Sequence, residues 1–295
     1  MVNARYFINL GRPQNALIPV VSFFIGYLFI YQSAESVRTL LFIGVSIFLL
    51  SMFATVQNDI EDYDIDKSNG RASGLHGSTP IKYWHALIYM YVLLLIACVL
   101  LLLINTASVW AVSFFTVLLV FAYNKAPLYL SRKPLSSIVV MTITAVTMPI
   151  ILGLLLSTNN SIGMAGVFLA SALSLQRLSI IILKDYKDVK GDAIHKKQTF
   201  LLQYGYVATK KVSIIVGLIG YVCLLISSIL IFENRIFLLF FAMLYGFLSY
   251  QNLSLRLSLK ESYSEHNSSI FLKVIKRNYQ ADLLILITLL LNIFI

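Results

Sequence analysis

Long apolar runs alternate with short polar stretches along this chain. A helix needs about 20 mostly apolar residues to cross the hydrocarbon core of a bilayer. Runs of that kind lie at roughly 14–32, 39–57, 84–104, 107–123, 136–156, 163–183, 212–232, 235–254 and 280–295. Within each run the apolar positions are continuous rather than alternating, which predicts helices and argues against a membrane β-barrel. Gly26, Pro149, Gly153, Gly217 and Gly220 fall in or beside these runs, where small residues let helices approach closely. The expectation is an all-α polytopic membrane protein of about nine transmembrane helices, organised as one domain over residues 1–295.

Composition agrees. Of the 295 residues, 59% are apolar and 12% charged, against about 45–50% and about 25% in soluble domains. This excludes an ordinary cytosolic enzyme, a disordered chain and a disulfide scaffold. Cys98 and Cys223 both lie in apolar runs and read as small buried hydrophobes. The first run has no small-residue cleavage site, so no cleavable signal peptide is expected. The net charge of +10 would suggest nucleic acid in a soluble protein. Here its placement explains it. Of 23 Lys and Arg, 20 fall at the N-terminus or in the loops after spans two, four, six and eight. Arg38 and Arg235 lie on the opposite side, and Arg177 lies inside span six. Basic loops stay cytoplasmic. The N-terminus and those loops are therefore expected in the cytoplasm, with the bilayer as partner and no nucleic acid.

Eight of the 13 acidic residues fall in two short clusters. One, at the end of span two, runs from Asn58 to Asp66; the other, at the end of span six, from Lys184 to Asp192. Asp59, Asp62 and Asp66 share their spacing with Asp185, Asp188 and Asp192. On a helix that spacing puts three carboxylates on one face, where they repel one another unless a cation intervenes. Mg²⁺ suits the role, because it takes carboxylate oxygens, keeps some water and shares substrate phosphates. Glu61 and Asp64 lie off that face and read as outer or solvated groups. Six carboxylates with two Mg²⁺ leave a net charge near −2, so a diphosphate of about −3 needs further cations. Arg71, Lys125, Arg132, Lys133 and Lys184 are on the same side. A diphosphate at the membrane surface with a lipid tail in the spans below fits this arrangement.

These residues resemble the UbiA superfamily of intramembrane prenyltransferases. Asn58-Asp59-x-x-Asp62-x-x-x-Asp66 is similar to its NDxxDxxxD motif, and Asp185-x-x-Asp188-x-x-x-Asp192 to its second aspartate-rich motif. Asn69-Gly70-Arg71, Lys197-x-Thr199 with Gly205, and Arg12-Pro13-x-Asn15 resemble further family patterns. Ser131 and Ala72-Ser73-Gly74 depart from it, so which cation grips the diphosphate stays open. The resemblance implies nine helices around a central cavity, a cytoplasmic cap, and two Mg²⁺ bridging both motifs to a prenyl diphosphate donor. It also implies transfer of the chain to a lipophilic acceptor. An aromatic quinone precursor is the leading acceptor. A glycerol phosphate lipid, an intramembrane terpene cyclase and, from another class, a cation-coupled transporter are the alternatives.

In such a reaction an allylic cation develops, and aromatic faces stabilise cations. Tyr63, Tyr123 and Tyr186 stand beside the charged groups as candidates, with Asn15 as a further substrate contact. Arg177 is costly inside a membrane helix. It reads either as a ligand for an acidic acceptor group or as one half of a buried salt bridge. His76 and His195 lie in the cap loops and read mainly as solvated.

Overall fold

The structure is a computed structural model describing residues 4–29, 35–68, 75, 81–104, 106–157, 162–232 and 235–294. Among these there is no strand. The helices are α1 (Ala4–Gly11), α2 (Pro13–Phe29), α3 (Val37–Glu61), α4 (Tyr63–Ser68), α5 (Tyr83–Leu102), α6 (Ala107–Asn124), α7 (Pro134–Thr142), α8 (Met148–Ser157), α9 (Met164–Ile181), α10 (Val189–Ile194), α11 (Phe200–Ile231), α12 (Arg235–Leu257) and α13 (Glu265–Phe294). A π turn, Ile143–Thr147, joins α7 to α8. A 3₁₀ turn, Lys184–Lys187, lies between α9 and α10.

Each apolar run read from the sequence is helical over most of its described residues. Among the described residues, seven helices are long and apolar enough to cross a membrane. The α2 helix is apolar but only 17 residues long. Two predicted spans are parts of longer helices: α11 starts at Phe200, and α13 at Glu265. Hydropathy registers only their apolar halves. The preceding turns carry Lys210, Lys211, Lys273, Lys276 and Arg277, which remain helical in a polar setting.

Small residues set the closest packing. A Cβ on Gly26 of α2 would collide with the carbonyl oxygen of Ile150, and one on Gly153 of α8 with that of Phe23. These two helices therefore meet backbone to backbone, which maximises dispersion contact where no water drives association. Around that seam, Ile25, Ile150, Leu154, Leu169, Leu224 and Ile285 join five helices in one apolar cluster. A second cluster, with Met52, Phe53, Val56, Met90 and Leu93, ties α3 to α5. Large apolar side chains such as Ile88, Leu95, Val222, Phe240 and Phe247 point outward, as lipid-facing residues do. Cys98 is on that outer surface, not buried as expected, and Cys223 is half-buried.

Arg256, counted among the loop cations, is buried within α12 instead. Its Nη1 donates to the Ser213 carbonyl and its Nη2 to Ser179 Oγ, both at 2.8 Å. The missing side chain of Gly217 leaves room for the guanidinium.

The helices that position the site are interrupted at both acidic clusters. The α3 helix stops at Glu61 and α4 restarts at Tyr63. The α9 helix gives way to the 3₁₀ turn and then to α10. The two short helices α4 and α10 pack together. Ser68 Oγ and His195 Nε2 are 2.8 Å apart across that contact. His195 thus joins the two halves of the cap rather than standing alone in solvent.

Candidate active site

A cavity of about 640 Å³ opens between α2, α3, α6, the α7–α8 unit, α9 and α13. Its inner part is apolar, with Ile18, Pro19, Ile47, Val117, Met148 and Leu152. Its polar end carries Asn58, Asp62, Asp66, Asp185, Asp188 and Asp192. Five of the six predicted metal ligands, with Asn58, therefore face one space, although the two motifs are more than a hundred residues apart in sequence.

The sixth, Asp59, does not line the cavity. Its buried carboxylate takes a 2.6 Å bond from Arg12 Nη2. The expectation that Asp59, Asp62 and Asp66 share one face assumed an unbroken helix. Instead α3 ends at a cap in which the Asp62 N–H donates to the Asn58 carbonyl at 2.8 Å. The Asp66 N–H then donates to the Asp62 carbonyl at 2.9 Å. Residues four apart, Asn58, Asp62 and Asp66, take the cavity face. In the second motif the spacing holds. The Asp188 N–H donates to the Asp185 carbonyl and the Asp192 N–H to the Asp188 carbonyl, both at 3.1 Å.

Two cations answer the first motif, and both come from strained turns. Arg12 itself has φ +47°, and Lys197 follows Lys196 at φ +52°. Such left-handed backbone costs a non-glycine residue on the order of 1–2 kcal/mol. Lys197 Nζ lies 2.9 Å from Asp62 Oδ2 and lines the cavity. Burial works against its charge, but Asp62 and Asp192 outweigh that and hold its pKa above the ordinary lysine value. Burial also pushes the Asp192 carboxyl up to about 7, with Lys197 opposing. Neither Arg12 nor Lys197 was assigned a site role from the sequence. The Arg12-Pro13 and Lys197-x-Thr199 patterns were the available signal.

The proposed diphosphate cations divide. Lys184 lines the cavity, its Nζ donating to Ser137 Oγ at 2.8 Å and to Tyr123 Oη at 3.2 Å. Lys187, also in the lining, is 4.0 Å from Asp188. Lys125, Arg132 and Lys133 do not line it. Lys125 is engaged by Glu61 at 2.5 Å. Arg132 lies over the Tyr129 ring at 4.5 Å, and Lys133 stands at the N-cap position of α7 without a side-chain capping bond. Glu61 is accordingly an ion-pair partner rather than a free solvated group. Arg71 and His76 lie outside the described residues.

The three tyrosines also divide. Tyr123 faces the cavity. Tyr186 is 2% exposed and packs edge-on against Tyr206, donating to its carbonyl at 3.1 Å. Its ring belongs to the apolar cluster between α9, α11 and α13. Tyr63 is 42% exposed at the start of α4 and lies off the cavity. Asn15 lines the cavity as expected, and so does Arg177, which also pairs with Asp282 at 3.3 Å. The ion pair is the buried salt bridge, one of the two readings of Arg177.

The donor set suits a hard divalent cation. It is all oxygen and anionic, and the neighbouring carboxylates add to the burial that raises the Asp192 pKa. Among the described residues no three carboxylates already converge as a ligand set. Mg²⁺ does not require that, since one or two carboxylates with water and substrate phosphates complete its shell.

The UbiA prenyltransferase family model matches residues 19–272. A digeranylgeranylglyceryl phosphate synthase of Thermococcus sibiricus is 28% identical over 225 residues, covering 76% of each chain. The enzyme of the same name from Pyrococcus furiosus is 28% identical over 224 residues, 75% of this chain and 76% of its own. The structure of a UbiA homolog from Archaeoglobus fulgidus bound to GPP and Mg²⁺ superimposes with a TM-score of 0.72. It shares 15% identity and covers 98% of this chain and all of its own.

Proposed function

The chain belongs to the UbiA prenyltransferase family, and on that premise we propose that it prenylates a glycerol phosphate lipid. The donor is a prenyl diphosphate, Mg²⁺ is required, and diphosphate is released. The observation carrying this reading is the cavity itself: carboxylates and lysines at one end, an apolar interior below. A diphosphate fits the first and an isoprenyl chain the second. Family membership displaces the transporter alternative. The aromatic acceptor favoured from the sequence gives way to glycerol phosphate, because the relatives named above carry that activity in their names.

The residues divide the work as follows. Asp62, Asp66, Asp185, Asp188 and Asp192, with Asn58, would hold Mg²⁺, which supplies charge neutralisation of the departing diphosphate. Lys184, Lys187 and Lys197 add fixed positive charge at the same end, worth most where water is excluded. The Tyr123 ring, which lines the cavity, would stabilise the carbon that becomes cationic. The acceptor hydroxyl oxygen forms the new C–O bond as the C–O bond to diphosphate breaks. The electron pair leaves with the diphosphate, and the hydroxyl proton passes to a diphosphate oxygen or to a site carboxylate. The polar end and N-terminus are assigned to the cytoplasm from the distribution of basic residues.

The test uses purified protein in detergent with radiolabelled geranylgeranyl diphosphate and Mg²⁺ or EDTA. Acceptors are geranylgeranylglyceryl phosphate, homogentisate, 4-hydroxybenzoate and dihydroxynaphthoate. A Mg²⁺-dependent adduct with the glycerol phosphate lipid is expected. An adduct with an aromatic acceptor alone, or a hydrocarbon product alone, overturns the reading.

A further inference from the structure

Arg177 lies towards the C-terminal end of the membrane-crossing helix α9, is 7% exposed, and still lines the cavity. An arginine buried in a membrane-crossing helix is costly unless its charge is met. Here it is met poorly. Of five N–H donors on a guanidinium, one reaches Asp282 Oδ2, at 3.3 Å. Charge-assisted bonds of this type usually run about 2.7–2.9 Å. Asn278 Nδ2 donates to the same Asp282 oxygen at 3.3 Å, and Arg177 Nε has no partner.

Arg256, buried in the same bundle, shows what a structural arginine looks like. Its Nε also lacks a partner, but both terminal nitrogens are engaged at 2.8 Å, and it does not line the cavity. Arg177 differs in facing the cavity with its donors largely unspent.

Its depth is informative. Arg177 precedes Asp185 by eight residues, and lies within α9, below the 3₁₀ turn that carries Asp185. Lys184, Lys187 and Lys197 serve the polar end, so the donor's diphosphate has its own cations there. The acceptor hydroxyl must reach the carbon just beneath that diphosphate. In a glycerol phosphate the phosphorus is four covalent bonds from the neighbouring hydroxyl oxygen. A phosphate directed inward from the reacting oxygen would run towards Arg177, which lines the same cavity.

We propose that Arg177 anchors the phosphate of the lipid acceptor, and so selects phosphate-bearing acceptors over their neutral counterparts. The inference rests on the glycerol phosphate reading above and adds the residue that enforces it. Asp282 holds the guanidinium in place until the phosphate arrives.

Steady-state kinetics would compare wild type, Arg177→Lys and the double variant Arg177→Gln/Asp282→Asn. The double variant removes both charges, so no lone carboxylate is stranded in the bundle. Each protein receives geranylgeranyl diphosphate and Mg²⁺ with geranylgeranylglyceryl phosphate or its dephosphorylated form, geranylgeranylglycerol. Wild type should prefer the phosphate-bearing acceptor. In the double variant the KM for that acceptor should rise roughly 10-fold or more, with the donor KM unchanged and the preference lost. Arg177→Lys should be intermediate. A folded double variant that keeps both the acceptor KM and the preference overturns the anchor while leaving the enzyme's function intact. A wild type that uses neither lipid acceptor, yet prenylates another, overturns the functional reading and the anchor with it.

Discussion

In the first acidic motif, Asp59 is held by Arg12 and Asp62 by Lys197, cations 47 and 135 residues away in sequence. In the second motif burial is the stronger influence, and Asp192 is driven towards its protonated form with Lys197 only partly opposing. The aspartate spacing is the same in both. Where the carboxylates point is what differs: Asp59 is turned to Arg12 and does not line the cavity, while all three aspartates of the second motif do. Identical spacing therefore does not mean equivalent roles. The first motif is met by close cations, Arg12 at 2.6 Å and Lys197 at 2.9 Å, while in the second Lys187 stands 4.0 Å from Asp188 and Lys197 only partly opposes the burial of Asp192.

The sharpest way to break this comparison is to remove single carboxylates. Asp62→Asn and Asp188→Asn should each lower kcat by about 10²–10³, the usual effect of losing one transition-state charge contact. Asp59→Asn should instead act mainly on stability, by about 1–3 kcal/mol, because it strands Arg12 beside a buried amide. A thermal-unfolding series beside product assays separates the two. An Asp59→Asn loss of turnover as deep as that of Asp62→Asn, at unchanged stability, would put Asp59 back among the metal ligands.

The charge difference predicts a pH effect. A carboxyl with its pKa raised to about 7 holds its proton below that pH and must release it to bind metal. Apparent Mg²⁺ affinity, measured by calorimetry on the substrate-free protein, should fall about 10-fold per pH unit below 7. Asp192→Asn should flatten that dependence.

Lys197 tests the same contrast from the other side. It lies between the motifs and competes with any cation that arrives at Asp62. Lys197→Met should lower the thermal midpoint of the metal-free protein and tighten Mg²⁺ binding several-fold, by relieving that competition. Turnover should nonetheless drop, because a cation near the diphosphate is lost. Weaker Mg²⁺ binding in this variant would show that Lys197 organises the site rather than competing for it.

The smallest effect is expected at the cap contact. The Ser68–His195 bond is exposed, so His195→Ala should cost no more than about 1 kcal/mol. A modest rise in the donor KM without a change in kcat would mark it as a latch between the two motifs.

The apolar runs were legible because the bilayer imposes a length and a composition on any helix that crosses it. The acids stood out because so few are present elsewhere. What could not be read was the direction of each side chain once a helix is interrupted. Tyr186 sits beside Asp185 in sequence, yet the 3₁₀ turn puts its ring in the apolar core while the carboxylate faces the cavity. Lys125 stands near the cluster, yet Glu61 engages it. Arg256 reads as a loop cation and is buried.

By itself the sequence determined that the chain is a bundle of apolar helices with two acidic motifs at one end, since hydropathy and spacing are local properties. Only the tertiary structure decided which carboxylates meet in the cavity, that Arg12 and Lys197 counter the first motif, and that Arg177 looks into the apolar interior. Those outcomes depend on contacts between residues tens to more than a hundred positions apart. Electrostatic energy follows distance in space, which spacing along the chain does not specify once the helices break.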